Sequence, residues 1–273
     1  MRYPWGLRFW NSGEWQVCNE RLHDMEKRHV KYNPIRNRLF RSLTSVGSPS
    51  DVRVCMVGQD PYPTHSFATG LAFSIPPEFG RNNFPPTLRE LFAEYERDLG
   101  FPIPDHGDLG VWASQGVLLW NAIPVTRDGV SLGCDWDEWQ YLNQEVFHRL
   151  SEKGIVFAFL GGVARRYVRC VSPNNRIIET SHPSPRGSMN SRSPFKGSRL
   201  FSTINDHLNE LGLEPIDWRL DGVSSKKNLQ EPDMVGGLLL PNTTGADLGG
   251  HPRRPKPNLY VPGTKKDQVD VPW

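Results

Sequence analysis

The chain has 273 residues, 37% of them hydrophobic and 23% charged, with a formal net charge of +2: the balance of an ordinary globular protein with room for one sizeable domain. No window reaches the eighteen or more apolar residues of a membrane span. The start, Met1-Arg2-Tyr3-Pro4-Trp5, lacks the basic-then-apolar layout of a secretory signal, so a cytoplasmic protein without a membrane partner is expected. Near-neutral charge excludes nucleic-acid binding through bulk charge alone; a DNA partner would have to meet a local basic face and specific backbone contacts.

In chain order, a stretch around Glu14 to His29 and another from Pro34 to Leu43 read as N-terminal helices. Val52–Val57 is a short apolar run of strand type. Thr87-Leu88-Arg89-Glu90 is a capping box, predicting a helix with Leu88, Leu91, Phe92, Tyr95 and Leu99 on one face and Gly100 as its stop. Val117–Trp120 is the second strand. A helix follows from about Asp137 to Glu152, with Trp139, Leu142, Val146 and Leu150 on its apolar face. Ile155–Leu160 and Arg176–Glu179 complete the strands. The last helix runs from about Ser198 to Leu211, turning Phe201, Ile204, Leu208 and Leu211 inward before Gly212. Such alternation argues for an α/β fold around a mostly parallel sheet. Beyond residue 220 the pattern stops: residues 221–273 hold seven Gly and seven Pro in 53 positions. Such a segment buries too little surface to offset its ordering entropy, so the expected division is a domain over 1–220 and a disordered tail over 221–273.

Each predicted strand runs into a polar cluster at its C-terminal end: Gly58-Gln59-Asp60-Pro61-Tyr62, then Asn121, then Gly161-Gly162, then Ser181-His182-Pro183-Ser184-Pro185. Ligand sites of open parallel sheets gather at that edge. No G-x-S-x-G elbow, G-x-G-x-x-G turn or Walker loop is present, which argues against acyl transfer and nucleotide cofactors. The cysteines, Cys18, Cys55, Cys134 and Cys170, are far apart and form no C-x-x-C pair, so no metal or cofactor is expected. A carboxylate with a histidine can support hydrolysis through an oxocarbenium-like state, the anion stabilising a sugar cation and the histidine steadying the departing anion. An Asn amide, one donor group and one acceptor, suits the edge of a base. Singly, each residue has a plainer role: Asp and Asn as turn or cap residues, His182 as a structural histidine, Phe73 as core.

Gly58-Gln59-Asp60-Pro61-Tyr62, Gly70-Leu71-Ala72-Phe73-Ser74, Gly116-Val117-Leu118-Leu119-Trp120-Asn121 and His182-Pro183-Ser184-Pro185 resemble, in order and spacing, the signature blocks of family 1 uracil-DNA glycosylases. Pro63-Thr64 is similar to the actinobacterial branch. The weaker likeness extends from about Tyr32 to Trp218 and leaves the tail outside it.

The resemblance implies a monomeric three-layer α/β/α domain with a central, mostly parallel four-stranded sheet. Its partner would be uracil-containing DNA, single- or double-stranded, from which it releases uracil without a cofactor. It implies that Asp60 activates water and stabilises the sugar cation, and that His182 donates to uracil O2. Asn121 would pair with O4 and N3–H, Phe73 stack on the flipped base, Tyr62 exclude a methyl group and Gln59 line the pocket. Pro85, Pro86, Thr87, Gly162 and Ser184 would meet the DNA backbone. Arg186 stands where the family has a leucine wedge, Gly162 where it has a serine, and the loop from Thr126 to Trp136 is shorter than usual. These departures keep open an alternative, a catalytically inactive DNA-binding or replication-scaffold protein of the same fold. The acidic-apolar finish Asp270-Val271-Pro272-Trp273 resembles the tips of single-stranded-DNA-binding proteins and suggests a repair or replication partner.

Overall fold

The computed structural model describes residue 5 and residues 13–134, 139–185, 187 and 191–220. Arg186, Asp137 and the tail lie outside the described residues. The elements begin with α1 (Gly13–Lys27), β1 (Tyr32–Asn33), α2 (Arg41–Ser45), β2 (Val54–Gly58), α3 (Pro86–Leu99), α4 (Gly110–Ser114) and β3 (Val117–Asn121). They continue with β4 (Thr126–Arg127), α5 (Gln140–Ser151), β5 (Val156–Leu160), α6 (Gly162–Arg165), β6 (Arg176–Thr180) and α7 (Leu200–Glu210).

Strands β2, β3, β5 and β6 form one sheet in the order β3-β2-β5-β6, with every neighbouring pair parallel. β1 and β4 make a separate antiparallel pair that the sequence pattern did not announce. Alternation along the strands separates two cores. Cys55, Val57, Leu118, Trp120, Phe157 and Phe159 pack on one face with Leu22 of α1, Leu43 of α2 and Leu142, Val146, Phe147 and Leu150 of α5. Val54, Met56, Leu119, Val156, Ala158 and Leu160 pack on the other with Leu88, Leu91, Phe92 and Tyr95 of α3, Trp112 of α4 and Phe201, Ile204 and Leu208 of α7. Both sheet faces are covered by helices, which makes the fold three-layer α/β/α. Burial on both sides explains why β2, β3 and β5 read as continuous apolar runs instead of alternating ones. Each fully buried Val, Leu or Phe contributes roughly 1.5–3 kcal/mol.

Two local expectations are corrected. Thr87 does not cap α3: the helix begins at Pro86, after Pro85, and has no side-chain cap. Proline at the first helical position supplies the helical φ and has no N–H to leave orphaned, so the Pro-Pro pair moves the start ahead of the threonine. Gly100 ends the helix in the left-handed region (φ 71°), as expected. The second correction concerns Pro34 to Leu43, which is not one helix but a 3-10 turn, Arg36–Arg38, followed by α2. The carbonyl of Arg38 lies against the backbone of Gly70, where a Cβ would approach it to 1.8 Å. A long-range packing of this kind leaves no trace in local sequence.

Helix α7 starts two residues later than Ser198, because its N-terminus is capped from α3. Buried Glu94 accepts from the N–H groups of Gly197 (2.7 Å) and Arg199 (2.9 Å), and Asp98 accepts from Ser202 N–H (2.8 Å). Two carboxylates thus satisfy donors that a helix start leaves orphaned.

Candidate active site

Because the four strands are parallel, their carboxyl ends share one edge. β2 and β3 stay paired past their ends through Ala122 N–H to Gly58 O (3.1 Å) and Ile123 N–H to Gln59 O (2.8 Å). Gly58 is level with Asn121 in the register. A cleft of about 460 Å³ opens there, and Gln59, Asp60, Tyr62, Phe73, Asn121 and His182 all line it, with Pro85, Pro86 and Thr87. All six residues assigned to catalysis or base contact therefore meet in one cavity. Gly162 and Ser184 do not line it; Ser184 Oγ accepts from Gly187 N–H (3.1 Å).

Gly58 is required by close approach. A Cβ there would stand 2.8 Å from Asn121 Oδ1 and 2.8 Å from Phe73 Cζ. The missing side chain lets the Phe73 ring and the Asn121 amide converge. Phe73 holds φ 67°, a conformation that L-residues rarely adopt. Ala72 N–H bonds Leu119 O (3.0 Å) on one side of it. Tyr62 donates its hydroxyl to Phe73 O (2.9 Å). That bond ties the tyrosine wall to the strained residue, and Phe67 meets the tyrosine ring edge-on with centroids 6.2 Å apart. Burial pushes the Tyr62 hydroxyl pKa well above its ordinary value, so it remains a neutral donor.

Asp60 sits one residue past Gln59, whose Nε2 donates to Oδ1 (3.0 Å). Its Oδ2 accepts from Leu132 N–H (2.6 Å) and from the Ser131 hydroxyl (3.3 Å). Sequence reasoning passed over Ser131 and Leu132; nothing in their immediate neighbourhood signals a contact 71 residues away. The amides and rings left over are informative: neither Asn121 nor His182 has a side-chain hydrogen-bond partner among the described residues. Burial holds the His182 pKa below its ordinary value, while the nearby charge of Asp60 pulls it back up. The ring is neutral near pH 7 and offers a single N–H. Gly161, at φ 104°, passes so close to His182 that a Cβ would lie 3.0 Å from the histidine Cβ. Trp120 and Ala122, flanking Asn121, are both tied to buried Asn143 on α5. Asn143 Oδ1 accepts from Trp120 Nε1 (2.7 Å), and its Nδ2 donates to Ala122 O (2.7 Å).

Among the described residues, no three His, Cys, Asp or Glu side chains are grouped to hold a metal ion, and no helix is long and apolar enough to cross a membrane. One fixed carboxylate, one neutral imidazole and one unpartnered amide thus surround an aromatic slot, an arrangement able to hold a planar heterocycle and to stabilise charge on either side of a breaking bond.

Residues 44–209 match the family model described as the uracil DNA glycosylase superfamily. The chain is 41% identical over 180 residues to a uracil-DNA glycosylase of Thermobifida fusca, spanning 65% of this chain and 77% of that protein. It is 38% identical over 205 residues to the uracil-DNA glycosylase of Bacillus subtilis, covering 73% of this chain and 88% of the relative. The crystal structure of mimivirus uracil-DNA glycosylase superposes with a TM-score of 0.71 at 22% identity, over 80% of this chain and 88% of the other, and shares the fold. With a family match across more than half of the chain and relatives covered over three quarters or more of their length, the chain belongs to the uracil DNA glycosylase superfamily.

Proposed function

We propose that the chain is a monofunctional DNA N-glycosylase that hydrolyses the N-glycosidic bond of deoxyuridine in DNA, releasing uracil and leaving an abasic site for base excision repair. The observation that carries this reading is the meeting of Asp60, Asn121, Phe73, Tyr62 and His182 in one cleft at the sheet edge.

The base leaves the helix to enter the cleft. Phe73 stacks on it, and the Asn121 amide pairs with uracil O4 and N3–H. Cytosine presents the reverse donor–acceptor pattern and would leave buried groups unpaired. Tyr62, fixed through Phe73 O, forms the wall that rejects a methyl group. As the bond stretches, positive charge grows on the sugar and negative charge on uracil O2. The Asp60 carboxylate stabilises the first and orients the attacking water; the neutral His182 N–H stabilises the second. Pro85, Pro86, Thr87, Gly162 and Ser184 contact the DNA backbone in this proposal, and Arg186, next after His-Pro-Ser-Pro, meets the duplex.

The test is release of uracil from a labelled oligonucleotide in the presence of a chelator, by wild type and Asp60→Asn. Wild type should be active. Asp60→Asn should bind the oligonucleotide normally and lose about 10²-fold or more in single-turnover rate, since the charge acts mainly in the transition state. A mutant rate within about threefold of wild type removes Asp60 from this role. Absence of wild-type release favours the inactive DNA-binding alternative.

A further inference from the structure

The segment after β4 turns back at the cleft rim and is braced from inside. Fully buried Thr126 donates its hydroxyl to Val130 O (2.6 Å) and accepts from Gly133 N–H (3.0 Å). Gly129 N–H donates to Pro63 O (2.9 Å), which ties the turn to the loop that carries Asp60. Leu132 holds φ 54°, although its side chain is 48% exposed and gains little from burial. Such a conformation is strained and persists where the surroundings impose it. What it delivers is a backbone N–H, 2.6 Å from Asp60 Oδ2, beside the Ser131 hydroxyl at 3.3 Å on the same oxygen.

A carboxylate has about four acceptor sites. Two on Oδ2 are taken by this turn and one on Oδ1 by Gln59 Nε2. The remaining site is on Oδ1.

We propose that the Ser131–Leu132 turn is the positioning device for Asp60, locking Oδ2 so that the free Oδ1 site is the one presented to the attacking water. This inference rests on the glycosylase reading. Ser131 is exposed, so its substitution tests the idea without disturbing a core. Ser131→Ala should slow single-turnover uracil release about fivefold, with the Kd for a uracil-containing oligonucleotide unchanged. Ser131→Thr, which keeps the hydroxyl, should restore most of the rate. In an Asp60→Asn background the alanine substitution should have no further effect, because the group it positions is already disabled. A wild-type rate for Ser131→Ala overturns the proposal, as does an equal loss in Ser131→Thr or the same fold-loss in the Asp60→Asn background. No uracil release by the wild type would instead overturn the glycosylase reading, and this inference with it.

Discussion

The charge of Asp60 acts on His182, and that influence is measurable. Burial disfavours the imidazolium, while the carboxylate favours it; burial is the larger influence. His182 should therefore titrate below the ordinary 6.5, and Asp60→Asn should lower it further by removing the opposing charge. Nitrogen-detected NMR of the imidazole across pH 4 to 8 checks both shifts; a rise in the mutant would contradict the assigned balance. The sign for stability follows. Below the ordinary value the unfolded chain binds a proton that the native state resists, so His182 weakens the fold as pH falls through that value, and the deficit stops growing at its lower native pKa. Asp60, Asn121 and His182 were legible as a set because each stands at, or within two residues of, the carboxyl end of a strand of one parallel sheet. The positive φ of Phe73 and the grip of Ser131 on Asp60 were not. Both come from tertiary contacts, which local patterns do not encode.

At the level of elements, the position of each functional loop depends on what anchors its strand. Asn143 illustrates this. It lies on α5 among the apolar residues Trp139, Leu142 and Val146, where a helical pattern marks it as a polar interruption. The structure makes it the link between α5 and the end of β3, satisfying Trp120 Nε1 and Ala122 O on either side of Asn121. Replacing it with Ala strands two buried polar groups, at about 1–3 kcal/mol each. Asn143→Ala should thus lose roughly 2–6 kcal/mol of stability by urea denaturation. A loss under about 1 kcal/mol would mean that water replaces the amide. The four strands and the helices α3, α5 and α7 were readable because length and period agreed, and α1 also falls where a helix was expected, around Glu14 to His29. The β1–β4 pair was not, since two-residue strands carry no period. The Thr87 capping box misplaced the start of α3 because its threonine follows two prolines that begin the helix themselves.

For the whole molecule, Trp218 ties the last described stretch of the chain into the core. Its ring packs edge-on against Trp112 (centroids 5.2 Å) and Phe201 (5.1 Å). Its Nε1 donates to Phe201 O (3.2 Å), and its carbonyl accepts from Trp112 Nε1 (2.9 Å). Gln115 Nε2 holds the preceding Asp217 carbonyl (2.8 Å), and Leu220 is buried at 2% exposure. The core therefore includes the chain as far as Leu220, and the Gly/Pro-rich composition of residues 221–273 motivates the proposal that the folded unit ends there. Truncation after Leu220 should leave the midpoint of thermal unfolding within about 2 °C of the full chain, and uracil release from naked oligonucleotides unchanged. Truncation after Asp217 should behave quite differently. It removes the Trp218 ring, at about 3–5 kcal/mol for a buried tryptophan, and leaves Trp112 Nε1 without its acceptor. For a domain of this size each kcal/mol moves the midpoint by roughly 2–4 °C, so a fall of about 6–20 °C is expected. Calorimetry on the two truncated chains and the full chain decides the boundary. A comparable fall on removing residues 221–273 alone would show that the tail belongs to the folded unit, and would move the domain's end beyond Leu220.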